Sequence, residues 1–291
     1  MHHFYSFNRF KSFDLLTAGY LFIWIILIRC YYNSIPFASS LLLFHFITVI
    51  IVLFMAGLSP ILPFLKFFRR WYLFAFLPLF FTALHYLIPH VHPGNIDSTL
   101  IKIDQFLTGT NPTVWFEKFY HPWITELLQL SYLTFYFLPL LILIPLYVQK
   151  DFKRYDHFAF IVLLSFYLSY FGYLLFPALG PRYFLTHLHQ QSLNGIGWYE
   201  KISHTLNGLE NIQWDAFPSA HVAIALLVSH FTLRYFPKIF MLTLPLVVFL
   251  IISTIYLRYH YLIDVLAGIV LYLLVLVIDK LFYHHPTLKN N

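Results

Sequence analysis

Residues 38–57 read ASSLLLFHFITVIIVLFMAG, and this stretch indicates the class of protein that the chain encodes. It contains no Asp, Glu, Lys or Arg, and about 20 mostly apolar residues suffice for a helix to cross a bilayer. Similar continuous runs, which do not alternate as barrel strands do, recur along the chain. They predict about eight transmembrane helices, at 14–32, 38–57, 71–88, 123–148, 157–176, 217–235, 239–257 and 260–279.

The composition of the 291 residues agrees with an all-α integral membrane protein. Hydrophobic residues make up 60% and charged residues 10% of the chain, against roughly 45–50% and 25% in soluble domains. A soluble domain of this size cannot bury so much apolar surface. The net charge of +6 includes no dense run of Lys and Arg, so no nucleic-acid partner is expected. The single Cys30 cannot form an internal disulfide.

We expect a single polytopic membrane domain over residues 1–291, with N-terminal membrane helices in 1–90 and a core in 100–283. Asn111-Pro112 predicts the start of an interfacial helix, because proline is favoured in a first helical turn. The amphipathic stretch 196–209 is expected to form a lid. Alternate short loops are basic, so the positive-inside rule predicts cytoplasmic termini and a periplasmic or luminal opposite face.

Three polar elements fall near the predicted outer ends of helices. His260 and Asp264 are four residues apart, so the carboxylate can bond one imidazole nitrogen and leave the other as a nucleophile or base. Ser219 is a predicted helix cap, and the backbone N–H groups of Ala220 and His221 after it form an anion site. The His221 side chain is placed to protonate a leaving oxygen.

The third element is Arg182, which follows helix breakers and has the side chain best suited to phosphate oxygens. Each element alone also fits a plainer interpretation: a solvated His–Asp pair, an ordinary helix cap, or an arginine at the membrane interface. Two predicted spans separate His221 from His260, so all three elements emerge at one membrane face. Together they predict a phosphoryl-transfer site.

These elements, Gly-Pro-Arg182, Phe-Pro-Ser-Ala-His221 and Arg258-Tyr-His260-x-x-x-Asp264, resemble the type 2 phosphatidate phosphatase superfamily over roughly residues 157–279. The stretch from Ile103-Asp104 to Glu126 is similar to the branch that holds inositol phosphorylceramide synthases. The resemblance implies a six-helix phosphatase-like core and metal-independent chemistry without a cofactor. It implies that His221 protonates the leaving alcohol and that His260, oriented by Asp264, attacks phosphorus to form a phosphohistidine.

The resemblance also assigns the phosphate oxygens to Arg182, Ser219 and the backbone at Ala220. The chain departs from the family pattern in its cations: the family's first-motif lysine is Leu175 here, and its third-motif arginine is Thr254. Arg258, two residues before His260, is the candidate that replaces the missing charge.

Four functions remain open. A lipid phosphatase would use water to resolve the phosphohistidine, and a phosphotransferase of sphingolipid metabolism would use a lipid or polyol hydroxyl. Both would take a lipid phosphate substrate. A transporter is the third reading, although the ionisable groups cluster at one face rather than at mid-membrane. A zinc enzyme is the fourth, with four histidines as ligands: His90, His92, His187 and His189.

Overall fold

The computed structural model describes residues 10–59, 61–209 and 213–282, and the ends of the predicted domain lie outside these ranges. The α-helices are α1 (Ser12–Cys30), α2 (Ala38–Leu58), α3 (Leu65–Val91), α4 (Asp97–Thr108), α5 (Pro112–Trp115), α6 (Pro122–Leu133), α7 (Leu140–Val148), α8 (Phe152–Leu175), α9 (Pro181–Phe184), α10 (Tyr199–Leu209), α11 (Ala220–Tyr235), α12 (Pro237–Tyr256) and α13 (Leu262–Phe282). Short 3₁₀ turns follow α5 and α6, at Phe116–Phe119 and Thr134–Tyr136.

The predicted class, an all-α membrane protein, is confirmed. In the described residues, six helices are long and apolar enough to span a membrane: α1, α2, α3, α8, α12 and α13. A seventh span exists if α6 and α7, which meet at a 45° bend, count as one. Together with the shorter α11, these helices account for the predicted total of about eight. The predicted span 217–235 forms α11, whose 16 residues extend about 24 Å, short of a hydrocarbon core of about 30 Å.

The hydrophobic core connects the N-terminal helices with the rest of the chain. α8 lies at its centre and contacts α1, α3, α7, α11 and α13. Tyr20 of α1 stacks on Tyr167 of α8 with ring centroids 4.0 Å apart. α11 is almost fully buried against α8, α12 and α13, so its shortness is compatible with a position inside the bundle.

Buried pairs of polar side chains join the helices at one end of the bundle. His157, near the start of α8, lies 2.7 Å from Asp279, near the end of α13. Asp14 of α1 pairs with Arg69 of α3. Each buried polar group thereby has a partner, which offsets the free-energy cost of removing it from water. The opposite end of the bundle, where α8 ends and α11 and α13 begin, carries the candidate site residues.

The connecting segments differ from the prediction in one place. Asn111 precedes a helix that begins at Pro112, as expected, but this helix ends after one turn. A longer helix than α5, the twelve-residue α4, precedes it in the chain. Gly109 follows the last residue of α4 and adopts the left-handed conformation, with φ of 72°. The predicted helix within 196–209 is confirmed as α10, which packs against α6.

The long segment between α8 and α11 is closed at its base. Ala178 and Asp215 form an isolated parallel bridge, and the Ala216 N–H donates to the Ala178 carbonyl at 3.2 Å. The chain between these residues therefore leaves the bundle and returns to it at the same point.

Candidate active site

The structure brings the three predicted elements together in one pocket. The pocket has a volume of about 30 Å³, and its lining includes Arg182, His221 and His260. Nε2 of His260 lies 3.3 Å from Nδ1 of His221, although 39 residues separate them in sequence. Both histidines are buried, so their ring nitrogens are shielded from bulk solvent except through this pocket.

The contacts of His260 define its tautomer. Nδ1 lies 2.7 Å from the Ala216 carbonyl, which can only accept a hydrogen bond. Nδ1 therefore carries the proton, and Nε2 carries a lone pair that accepts from Nδ1–H of His221. This assignment follows from the hydrogen-bond network. Burial lowers the pKa of the His260 imidazole to about 4, which keeps Nε2 available as a base or nucleophile at neutral pH.

Asp264 lies close to His260 but holds the main chain as well. Its Oδ2 is 3.5 Å from Nδ1 of His260 and accepts a shorter bond, 2.7 Å, from the Tyr261 N–H. The Asp264 carbonyl accepts from the Ser219 N–H at 3.1 Å. Asp264 therefore fixes the turn that carries His260 and joins the first turn of α13 to the start of α11.

Ser219 is the N-cap of α11, as predicted. Its Oγ accepts from the Val222 N–H at 3.4 Å, and both Ser219 and Ala220 are buried rather than in the pocket lining. A glycine on α13 permits this close approach: a Cβ at Gly268 would lie 2.6 Å from the Ser219 carbonyl oxygen. The two helix starts therefore depend on the absence of a side chain at this position.

Arg182 belongs to a stack of planar groups that the sequence analysis did not identify. Its guanidinium lies 4.0 Å above the Tyr259 ring. Tyr259 stacks on Tyr132 at 4.1 Å, and Tyr132 stacks on His221 at 4.5 Å. The stack links the cation to the histidine, so the two sides of the pocket are held at a fixed spacing. No sequence spacing connects the tyrosines, because α6 supplies one and the α12–α13 turn supplies the other.

Arg258, like Ser219 and Ala220, does not line the pocket, so Arg182 is the one predicted phosphate ligand in the lining. Nη2 of Arg258 donates to Glu117 Oε1 at 2.8 Å and to the Gln191 carbonyl at 2.5 Å. Its backbone has a left-handed φ of 67°, and its carbonyl accepts from the Arg182 N–H at 2.9 Å. In this conformation Arg258 joins three segments around the pocket through its side chain and its main chain.

Two buried aspartates on α4 position the site from outside. Asp97 accepts from the backbone N–H groups of Leu179 and Gly180, at 2.8 and 2.9 Å, and from the Tyr261 hydroxyl at 2.8 Å. Asp104 accepts from the N–H groups of Leu262 and Ile263, both at 2.8 Å. The N–H groups of a first helical turn have no acceptor within their own helix, and Asp104 supplies that acceptor for α13.

α4 therefore connects the segment before Arg182 with the turn after His260. The spacing of seven residues places Asp97 and Asp104 on one helix face. The spacing of these two aspartates would have indicated that they share a helix face, but no helix was predicted at 97–108.

Glu126 anchors the predicted lid. Its carboxylate accepts from the backbone N–H groups of four consecutive residues, 196–199, at 2.7 to 3.3 Å. These groups lie at the start of α10, where a negative charge also complements the helix dipole. A Cβ at Gly195 would lie 2.2 Å from Glu126 Oε2, whereas a Cβ at Gly197 would contact nothing. Gly195 therefore makes room for the carboxylate.

The histidines of the zinc hypothesis do not form a metal site. Among the described residues, no three His, Cys, Asp or Glu side chains are grouped so that they could hold a metal ion. His189 instead has its Nε2 3.2 Å from Thr113 Oγ1. Burial and the nearby Arg258 lower the pKa of its imidazole to about 4.

Comparison with known proteins agrees with the site geometry. Residues 98–278 match the PAP2 superfamily, which is more than half of the chain and includes Arg182, His221 and His260. The chain belongs to the PAP2 superfamily.

A PA-phosphatase related-family protein of Dictyostelium discoideum is 27% identical over 165 residues, 50% of this chain and 30% of that protein. The chain therefore aligns with less than a third of that relative's length. No solved structure matches significantly. The inositol phosphorylceramide synthase branch is not identified by these comparisons.

Proposed function

We propose that the chain hydrolyses lipid phosphate esters through a phosphohistidine at His260. The observation that carries this proposal is the 3.3 Å contact between His260 Nε2 and His221 Nδ1 in a pocket that Arg182 lines. It supplies a nucleophile, a proton donor and a cation for the phosphate oxygens within one enclosed site.

The first step transfers the phosphoryl group to the enzyme. The lone pair on His260 Nε2 attacks phosphorus, and the bond from phosphorus to the alkyl oxygen breaks. His221, protonated on both ring nitrogens when the anionic phosphate binds beside it, gives its Nδ1 proton to the leaving oxygen and becomes a neutral imidazole. Arg182 stabilises the charge that develops on the equatorial oxygens. The Ala216 carbonyl and Asp264 hold the His260 ring through its Nδ1 side.

The second step restores the enzyme. His221, now lacking a proton, accepts one from water while the oxygen of that water attacks phosphorus and the N–P bond breaks. We take water as the acceptor, because water needs no binding site for a second alcohol. A transferase would need room for a lipid or polyol hydroxyl with its attached carbons.

The test is phosphate release from a panel of lipid phosphates by purified protein in detergent with EDTA. His260→Ala should reduce release to background. The control is His230→Ala, which should stay active. His230 lies in α11, the helix of His221, and its Nδ1 is 3.1 Å from the Tyr272 hydroxyl. If a phosphorylated product formed only when ceramide or inositol was added, the protein would be a phosphotransferase and the hydrolase proposal would be wrong.

We further propose that the site faces the periplasm or lumen and that both termini are cytoplasmic. The support is the basic character of the loops at the other end of the bundle, such as Lys66 with Arg70 and Lys150 with Arg154. A tag added at the C-terminus should be accessible to protease only after the membrane is permeabilised. Accessibility in intact cells or vesicles of known orientation would reverse the topology.

A further inference from the structure

A second cavity lies beside the site pocket, between α10 and the bend that joins α6 to α7. Its volume of about 330 Å³ falls within the roughly 300–1,000 Å³ of small-molecule sites. Its apolar lining comes from both sides of the gap: Leu133, Tyr136, Phe137, Trp198, Ile202 and Leu206. Its polar side chains are Lys201 and Thr205 of α10, both exposed.

The cavity and the site pocket border the same group of packed side chains. Leu133 lines the cavity, and its neighbour Tyr132 lines the site pocket. Leu206, which lines the cavity, is buried in one apolar cluster with Tyr132, Tyr256 and Leu257. A molecule with a phosphate in the pocket and an apolar tail therefore has a compartment for the tail next to it.

We propose that this cavity binds the acyl chain of the lipid phosphate substrate, an inference that rests on the proposed function. The bend in the α6–α7 span exposes Phe137 and Tyr136 on one side, and Trp198 lies exposed on the other. In a membrane these surfaces face hydrocarbon, from which a chain can enter without crossing water. Lys201 Nζ lies 5.8 Å from the Trp198 ring centroid and can donate to the ester carbonyls of a lipid backbone.

Glu126 makes the wall of this cavity rigid. Its four backbone hydrogen bonds hold residues 196–199, which include Trp198, and the first turn of α10 continues from them. The wall is therefore fixed to α6, the helix that also supplies Tyr132 to the site pocket. This connection gives a constant spacing between the tail compartment and the catalytic histidines.

The proposal is tested first by binding, without turnover. In the His260→Ala protein, phosphatidic acid with brominated acyl chains should quench Trp198 fluorescence in a saturable manner, with Trp198→Phe as the reference for the other tryptophans. Thr205→Phe, which fills the cavity, should weaken this quenching at least fivefold. His204→Phe adds the same ring to the adjacent exposed residue outside the lining and should leave it unchanged.

The second test is activity with two substrates. Thr205→Phe should raise KM for dioleoyl phosphatidic acid at least tenfold and change kcat/KM for phenyl phosphate less than twofold, while His204→Phe changes neither. Equal quenching by brominated phosphatidylcholine would show a surrounding membrane lipid instead and overturn the proposal. Equal behaviour of the two Phe variants would also overturn it.

The two proposals fail in different ways. Saturable quenching that Thr205→Phe abolishes, in a protein inactive on every phosphate ester, would reject the hydrolase and support the cavity. An active enzyme with unaltered Thr205→Phe kinetics and quenching would reject the cavity and support the hydrolase. Melting temperatures of the two variants establish that both are folded.

Discussion

The hydroxyl of Tyr261 donates a 2.8 Å hydrogen bond to Oδ1 of Asp97, so the residue after the candidate nucleophile is tied to the first turn of α4. The same carboxylate holds the main chain just before Arg182. Hydrogen bonds to a charged group contribute about 1.5–3 kcal/mol each, and three of them end on Asp97. The relative position of Arg182 and His260 therefore depends on this one side chain.

Asp97→Asn should lower kcat at least about tenfold and reduce the melting temperature, because an amide has one acceptor oxygen where the carboxylate has two. Asp104→Asn should act similarly through the first turn of α13. Asp151→Asn is the control, since Asp151 caps α8 at the opposite end of the bundle. Activity per folded molecule should fall in the first two variants only; an equal loss in all three would contradict the positioning role.

The pH profile should reflect the buried His260. Because burial lowers its pKa to about 4, the imidazole stays neutral below its ordinary pKa of about 6.5, and kcat/KM should persist on the acid side until about pH 4. The groups around it are His221, Asp215 and Asp264. A phosphate monoester itself gains a proton near pH 6.

The profile is therefore recorded with two substrates whose phosphate pKa values differ. If the pH at which kcat/KM declines differs between the two substrates, that decline reports protonation of the substrate phosphate. If that pH is the same for both, the decline reports a group of the enzyme. A decline of the second kind at pH 6.5 or above would contradict the neutral, buried state of His260.

Arg182 and Arg258 should respond differently to substitution. Arg182→Gln removes a cation from the pocket lining and should lower kcat by about 10²–10³-fold, the usual cost of losing one transition-state donor. Arg258→Gln should change kcat less than tenfold, because its guanidinium pairs with Glu117. Inhibition by vanadate gives a second measure, which only Arg182→Gln should weaken. Equal weakening by both variants would restore Arg258 as a phosphate ligand.

Gly268→Ala should impair both stability and activity. The added methyl would meet the Ser219 carbonyl and Val222, and forcing a methyl into a packed interface typically costs about 1–3 kcal/mol. Gly19→Ala, in α1, is the matched control because a Cβ there contacts nothing. That change should be neutral or stabilising by up to about 1 kcal/mol. Identical melting curves for the two variants would show that α11 and α13 do not depend on this contact.

The apolar runs sufficed to predict the class of fold, because a helix in a bilayer needs length and hydrophobicity more than any particular residue. They placed the start of α11 three residues too early, at 217. Phe217 and Pro218 precede the helix, and Ser219 is its N-cap. Hydropathy alone does not show at which residue such a helix begins.

The short motifs predicted that Arg182, His221 and His260 come together, and one pocket contains all three. They did not identify which main-chain N–H groups the carboxylates of Asp97, Asp104 and Glu126 bind. Any residue can supply such an N–H group, so the partner leaves no mark in the sequence. For Arg258 the motif position predicted a phosphate ligand, whereas in the structure its guanidinium pairs with Glu117.

The bridge between Ala178 and Asp215 makes the intervening chain an exchangeable module. Because both ends are joined at the bundle, the part beyond Arg182 can be lengthened where it makes no contact with Arg258 or Glu126. Doubling its length would cost only about 0.6 kcal/mol in loop-closure entropy. α10 lies in this module, so the proposed site for the lipid tail belongs to a different part of the chain from the two histidines and can be exchanged by grafting.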